Sequence, residues 1–183
     1  MNILKKAALA LGGVVAVTSL VIWPQTQPAS AATTQAAVVH VNWGSQPKSN
    51  PVFVRDRIKG IRAPKYSYFD RLSLDMDGTA VPGYYARYVT RCIADGSGVP
   101  LPMRTGTVIQ IGVKANSRLA ARADALNVSG YPVFRQVRTQ GSFEGYTQVC
   151  IATRARLPFR LVKTSSTAPD HHGILAIDVA RNW

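Results

Sequence analysis

Short runs of alternating apolar and polar residues, each cut off by glycine or proline, limit what this chain can fold into. The clearest lies at 72–77, where Leu72, Leu74 and Met76 take one side and Ser73, Asp75 and Asp77 the other. That is the two-residue period of a half-buried strand. Gly78 ends the run, and Pro82-Gly83 breaks the chain again before residues 84–89 resume an extended pattern, with Tyr85 read as inward-facing. Comparable runs occupy 52–61 (Val52, Val54, Ile58, Ile61), 107–113 (Ile109, Ile111 and Val113 on one face), 134–139, 146–153, 157–162 and 174–179. Residues 94–98 and 141–145 read as turns, and Pro100 and Pro102 keep the run that follows the first turn at a sheet edge. Residues 115–126 (ANSRLAARADAL) are the single candidate helix, capped by Asn116 or Ser117, with a loop as the other reading. The pattern predicts an all-β domain: a compact sandwich or barrel of about eight short strands with at most one short helix.

The N-terminus has the organisation of an export signal. Lys5 and Lys6 precede an uncharged run over 7–23, followed by the small-residue site Ala29-Ser30-Ala31. Residues 1–32 are therefore expected to be a signal peptide cleaved after Ala31 or Ala32, with a retained anchor as the alternative. Gly12, Gly13, Thr18 and Ser19 dilute a run already marginal for a bilayer, so no stable membrane span is expected after cleavage. No cysteine lies near the site to carry a lipid, and no paired arginines precede the apolar run. Residues 33–51 read as a flexible linker with an apolar spot ending at Trp43, which either docks or stays exposed. The folded domain is expected over 52–183, and the location is secreted, at the extracellular face of the envelope.

Charge narrows the partners. The 183 residues carry 22 Lys+Arg against 9 Asp+Glu, a formal net charge of +13, and arginine dominates the cations. Such an excess seeks anionic surroundings, and the planar guanidinium fork matches carboxylate and phosphate. For an exported chain these are wall polymers, phospholipid headgroups or extracellular nucleic acid. Arg71, Arg87, Arg135, Arg138, Arg154 and Arg156 are the candidate anion-binding residues, with Tyr84 and Tyr88 as faces for sugar rings. The competing reading is an arginine-rich strand surface without a site, and tyrosines that pack the sandwich rim. A cell-wall glycan or anionic wall polymer is the expected partner. No basic helix or known recognition module occurs, so specific nucleic-acid binding is not expected. Cys92 and Cys150, an even pair in a secreted chain, predict one disulfide that would make their strands neighbours or place them across the core.

Asp75 to Thr79 spells DMDGT, which resembles the first motif of haloacid-dehalogenase phosphatases. There Asp75 would be nucleophile and Asp77 acid/base beside Mg²⁺. The later acids are scattered, and that fold needs alternating strands and helices. The pair reads as the polar side of a strand, and a Mg-dependent phosphatase stands as the alternative. A nucleic-acid or anionic-surface binder is a second alternative. Asp170-His171-His172 reads as a polar loop, because adjacent histidines point apart, and the third histidine, His40, lies in the linker. No metal and no cofactor is implied.

Four pieces carry a resemblance to a known family: Phe69-Asp70-Arg71-Leu72 leading into Asp75-Met76-Asp77-Gly78; Pro82-Gly83-Tyr84 with Arg87-Tyr88-Val89; residues 141–145 (GSFEG); and residues 157–161 (LPFRL). Residues 175–179 (LAIDV) resemble the family's closing strand. Together they resemble the AMIN-like domain of secreted bacterial cell-envelope proteins over 54–180. The resemblance implies a β-rich envelope domain, related to the AMIN domains that target amidases and secretion pores to peptidoglycan, without catalytic residues. The two cysteines and the strongly basic balance depart from that family. On the residues alone, Asp70-Arg71 would bridge strand ends, Gly83, Gly141 and Gly145 would serve turns, and Phe143 and Phe159 would anchor loops to the core.

Overall fold

The computed structural model describes residues 42–183. The expected signal peptide over 1–32, its cleavage site, His40 and the first part of the expected linker lie outside the described residues. Eleven strands follow: β1 (Lys48–Asn50), β2 (Ile58–Arg62), β3 (Phe69–Met76), β4 (Tyr84–Val89), β5 (Cys92–Ile93), β6 (Pro100–Leu101), β7 (Val108–Val113), β8 (Phe134–Phe143), β9 (Tyr146–Thr153), β10 (Phe159–Ser165) and β11 (Gly173–Ala180). They form a five-stranded sheet in the order β1-β4-β7-β9-β8, a four-stranded sheet in the order β10-β11-β3-β2, and the small β5-β6 pair. Every paired strand is antiparallel. Among the described residues the fold is all-β and sandwich-like, with no closed barrel. No helix among the described residues is long and apolar enough to cross a membrane.

Alternation builds the core. Leu72, Leu74 and Met76 of β3 and Leu175, Ile177 and Val179 of β11 pack with Ile109, Ile111 and Val113 of β7 and Val149 and Ile151 of β9, all fully buried. Each large apolar side chain moved from water contributes about 1.5–3 kcal/mol. Phe159 joins this core, as expected. A bulge between Ile58 and Gly60 sends both Ile58 and Ile61 inward.

The structure corrects several expectations. Residues 115–126 form no helix. They run along the sandwich side, where Arg118 N–H donates to Ile58 O of β2 and Ala125 N–H to Val137 O of β8. The segment thereby covers two sheet edges, a tertiary use that outweighs its alanine content. The strand expected over 52–61 begins at Ile58 as β2, because Val52 uses its carbonyl to accept the Gly83 N–H, and Val52 and Phe53 stay exposed. The expected linker ends sooner than position 51: Ser45 is buried, and residues 48–50 pair with β4. The turn at 141–145 is only Glu144-Gly145, since β8 continues to Phe143 and pairs with Tyr146. Both turn residues have positive φ, 47° and 82°, the geometry of a two-residue hairpin loop. Phe143 is exposed rather than anchored in the core.

Tyr84, Ala86 and Tyr88 face the core, so Tyr85 points outward, contrary to expectation. Its ring lies on Gly112 of β7, where a Cβ would sit 1.9 Å from the tyrosine Cε1. Cys92 and Cys150 are bonded, with Cα atoms 6.2 Å apart. Their strands are nonetheless neither neighbours nor opposed across the core. The β5-β6 pair lies on the outer face of the five-stranded sheet, and the disulfide packs there with Val108, Val89, Leu101 and Met103. Gln110 accepts the Ile93 N–H at 3.2 Å, and Gln148 accepts the Asp95 N–H at 3.0 Å. These buried glutamines satisfy the overlying backbone, which would otherwise be costly to cover.

Candidate anion-binding face

The outer face of the four-stranded sheet is set by cross-strand register. Arg71 on β3 stands opposite Asp178 on β11, and Asp178 stands opposite Arg160 on β10. The Asp178 carboxylate, fully buried, accepts Arg71 Nε at 2.5 Å and Nη2 at 2.9 Å, and Arg160 Nε at 2.9 Å. The hydrogen bond to Asp178 raises the Arg71 pKa, with burial working against it. Two guanidiniums share one carboxylate, so the row keeps a net positive charge.

Aromatic rings hold the two arginines flat. Arg160 lies 4.1 Å over the Trp43 ring, and Arg71 lies 4.9 Å over Tyr66 and 5.3 Å over Phe69. Tyr66 stacks on Phe69 at 4.6 Å, and Trp43 meets Phe69 edge-on at 5.7 Å. Trp43 therefore docks. Such stacking restrains the guanidinium planes and leaves their outer edges available.

Further cations surround this cluster. Arg181 Nη2 donates to Tyr66 O at 2.5 Å, and Arg154 Nη2 donates to Arg181 O. Arg156 donates to Ser45 and lies 5.1 Å over the Tyr88 ring. Lys48 Nζ donates to Trp43 O at 3.0 Å, and partial burial lowers its pKa. The acids here are Asp70 and Asp178, both fully buried. Asp70 accepts the Val133 and Phe134 N–H groups at 2.7 and 3.2 Å, and Arg181 Nη2 lies 3.5 Å from its other oxygen. Asp70 and Arg71 thus point to opposite sides of β3 and make separate bonds, rather than pairing with each other. With its carboxylates buried beneath arginines, this end of the sandwich presents cations outward.

Of the residues expected from sequence, Arg71, Arg154 and Arg156 come together here. Tyr84 and Tyr88 pack on the core, and Tyr88 Oη accepts the Leu157 N–H at 3.0 Å and donates to its carbonyl at 2.9 Å. Burial raises the pKa of both tyrosines. Arg87 lies on β4 beside a hollow of the other sheet. Arg135 donates to the carbonyls of Tyr131 and Phe134, and Arg138 donates to Pro102 O at 3.2 Å. Trp43, Phe69, Arg160, Arg181 and Asp178 were not anticipated. The alternation of β3 places Phe69 with Arg71, but the register bringing Arg160 and Asp178 alongside them is not written locally.

The DMDGT residues have other roles. Asp75 pairs with Arg62 at 3.0 Å and lies 3.4 Å from His172 Nε2. Asp77 accepts the Arg57 N–H at 2.7 Å and pairs with Arg118, and the first contact chiefly lowers its pKa. The phosphatase motif belongs to a fold of alternating strands and helices, and these two sheets are antiparallel throughout. His172 Nδ1 lies 2.8 Å from Asp170, while His171 adopts φ 42° on the loop. No metal-ligating cluster of three such side chains occurs among the described residues.

Comparison with known proteins agrees with this architecture. The family model of the AMIN-like domain matches residues 56–181, which run from just before β2 to just after β11. No curated protein and no solved structure matches. This is a family of non-catalytic domains found in envelope and periplasmic proteins and associated with peptidoglycan-related functions, which points to an extracytoplasmic location. On a match covering well over half its length, the chain belongs to the AMIN-like domain family.

Proposed function

We propose that this chain is a non-catalytic, exported cell-envelope domain that binds an anionic wall polymer through the face around Trp43, Tyr66, Arg71 and Arg160. One observation carries the reading: Asp70 and Asp178 lie buried beneath arginines, while Arg160 keeps 40% of its side-chain surface exposed against Trp43. A carboxylate or phosphate approaching the cluster meets N–H donors held by ring stacking, and a sugar meets the exposed part of Tyr66 beside them. The site requires no metal or cofactor to function this way.

Retention on purified cell walls tests the proposal. Binding should persist at about 0.15 M salt, where long-range fields are already screened. Equal affinity for walls and for any DNA duplex, falling steeply with salt in both cases, would mean that charge alone acts and that no wall-polymer site exists.

A further inference from the structure

The nine acidic residues do not share one fate. Asp70, Asp75, Asp77, Asp124, Asp170 and Asp178 are each ion-paired, and Asp56 accepts the Ala80 N–H at 2.8 Å. Asp95 and Glu144 have no ion pair among the described residues, in a chain with 22 Lys+Arg. Both line one hollow of about 270 Å³ on the outer face of the five-stranded sheet, with Tyr85, Gly96, Phe143 and Tyr146.

The hollow is built from fixed parts. Tyr85 lies on Gly112, and its ring centroid is 6.3 Å from that of Tyr146 at a tilt of 52°. The two-residue turn at Glu144-Gly145 places Phe143 directly opposite Tyr146, and Phe143 rests on Gly96. Asp95 is positioned by its N–H bond to Gln148, and the Tyr85 hydroxyl reaches its Oδ2 at 3.5 Å. Burial raises the Asp95 pKa with no cation to offset it. The same aromatic row already attracts one cation: Lys114 Nζ lies 4.6 Å over Phe53, which packs edge-on against Tyr146 at 5.5 Å. A larger hollow of about 590 Å³ shares Tyr85 and Asp95 and is lined on its β1 and β4 side by Lys48 and Arg87, neither of which pairs with Asp95.

Aromatic rings attract cations, and carboxylates without an ion pair favour them further. The two carboxylates disfavour an anion inside this hollow, and a neutral apolar group would desolvate them without compensation. We propose that this hollow binds an organic ammonium group, with Tyr85, Phe143 and Tyr146 against its carbon atoms and Asp95 and Glu144 balancing its charge. The site lies on the other sheet from the arginine cluster and has the opposite charge preference, so it stands independently of the wall-polymer reading.

An NMR titration of the intact protein tests it with three probes: choline, ethanolamine and the neutral tert-butyl isostere of choline. At least one ammonium probe should shift the Tyr85, Phe143 and Tyr146 resonances saturably, and the isostere should bind about tenfold more weakly or worse. Tighter choline binding would mark a cage filled by methyl groups, and tighter ethanolamine binding would mark N–H donation to the carboxylates; both support the site. Asp95→Asn should weaken ammonium binding about tenfold. Glu144→Gln, at an exposed turn where folding is not at stake, should weaken it less, and wall retention should be unchanged in both. Three results would overturn the proposal: no saturable shift with either ammonium, an isostere that binds as tightly as choline, or wild-type affinity in both variants.

Discussion

Arg71 and Asp178 face each other across β3 and β11 and share two hydrogen bonds, while Arg160 holds the same carboxylate from the third strand. A fully buried carboxylate with two cationic partners is costly to remove, because its absence leaves the guanidiniums opposed to each other. Both arginines reach solvent, so the cost falls at the low end for such pairs. Asp178→Ala should lower stability by about 3 kcal/mol, read from the midpoint of urea unfolding. An unchanged midpoint would show that the row contributes nothing to the fold.

Gly112 gives Tyr85 its place. A methyl group there would overlap the tyrosine ring, while Gly112 itself needs no unusual backbone angle. Gly112→Ala should therefore displace Tyr85, cost about 1–3 kcal/mol and alter the near-UV circular dichroism of the tyrosines. A variant with wild-type stability and spectrum would contradict the close packing.

The disulfide fastens β5 onto the sheet through Cys150, 58 positions away from Cys92. Reduction should cost about 2–4 kcal/mol. Because the bond lies outside the main core, amide exchange should rise first at Ile93 and Asp95 and only later at Ile109 and Val149. Simultaneous exposure of all four would show that the overlay and the sandwich unfold as one unit.

Two carboxylates should titrate on opposite sides of the ordinary value near 3.9. Hydrogen bonding from Arg57 N–H depresses Asp77, so its contribution to stability is present above the unfolded value and is lost as pH falls through the folded one. Burial raises Asp95, so its ionisation opposes folding at neutral pH, and protonation relieves that penalty as pH falls. A carbon-detected NMR titration should place Asp95 above Asp77, and the reverse order would refute both environments.

Strands β3, β7, β9 and β11 were legible because one face of each meets the core and the other does not. Val52 and Val54 mimic that alternation, yet the backbone around Val52 is committed to Gly83. Residues 115–126 have helix-like composition, but their N–H groups serve the edges of β2 and β8. The same limit applied to function. Arginine excess was visible, whereas the row Arg160–Asp178–Arg71 exists only through register across three strands, and Trp43 joins it from outside the expected domain. Tyr84 and Tyr88 read as surface aromatics because the sequence does not say which sheet face is covered.

The central claim is tested most directly by retention on purified cell walls of the wild-type chain and of Arg160→Ala. This variant leaves the Arg71–Asp178 pair intact and so preserves the fold, which its urea midpoint should verify. The wild type should be retained at about 0.15 M salt, and the variant should bind about tenfold more weakly, as expected for one lost charged hydrogen-bonding group. Equal retention of a folded Arg160→Ala chain, or no retention of the wild type, would contradict the assignment of this face as the polymer-binding site.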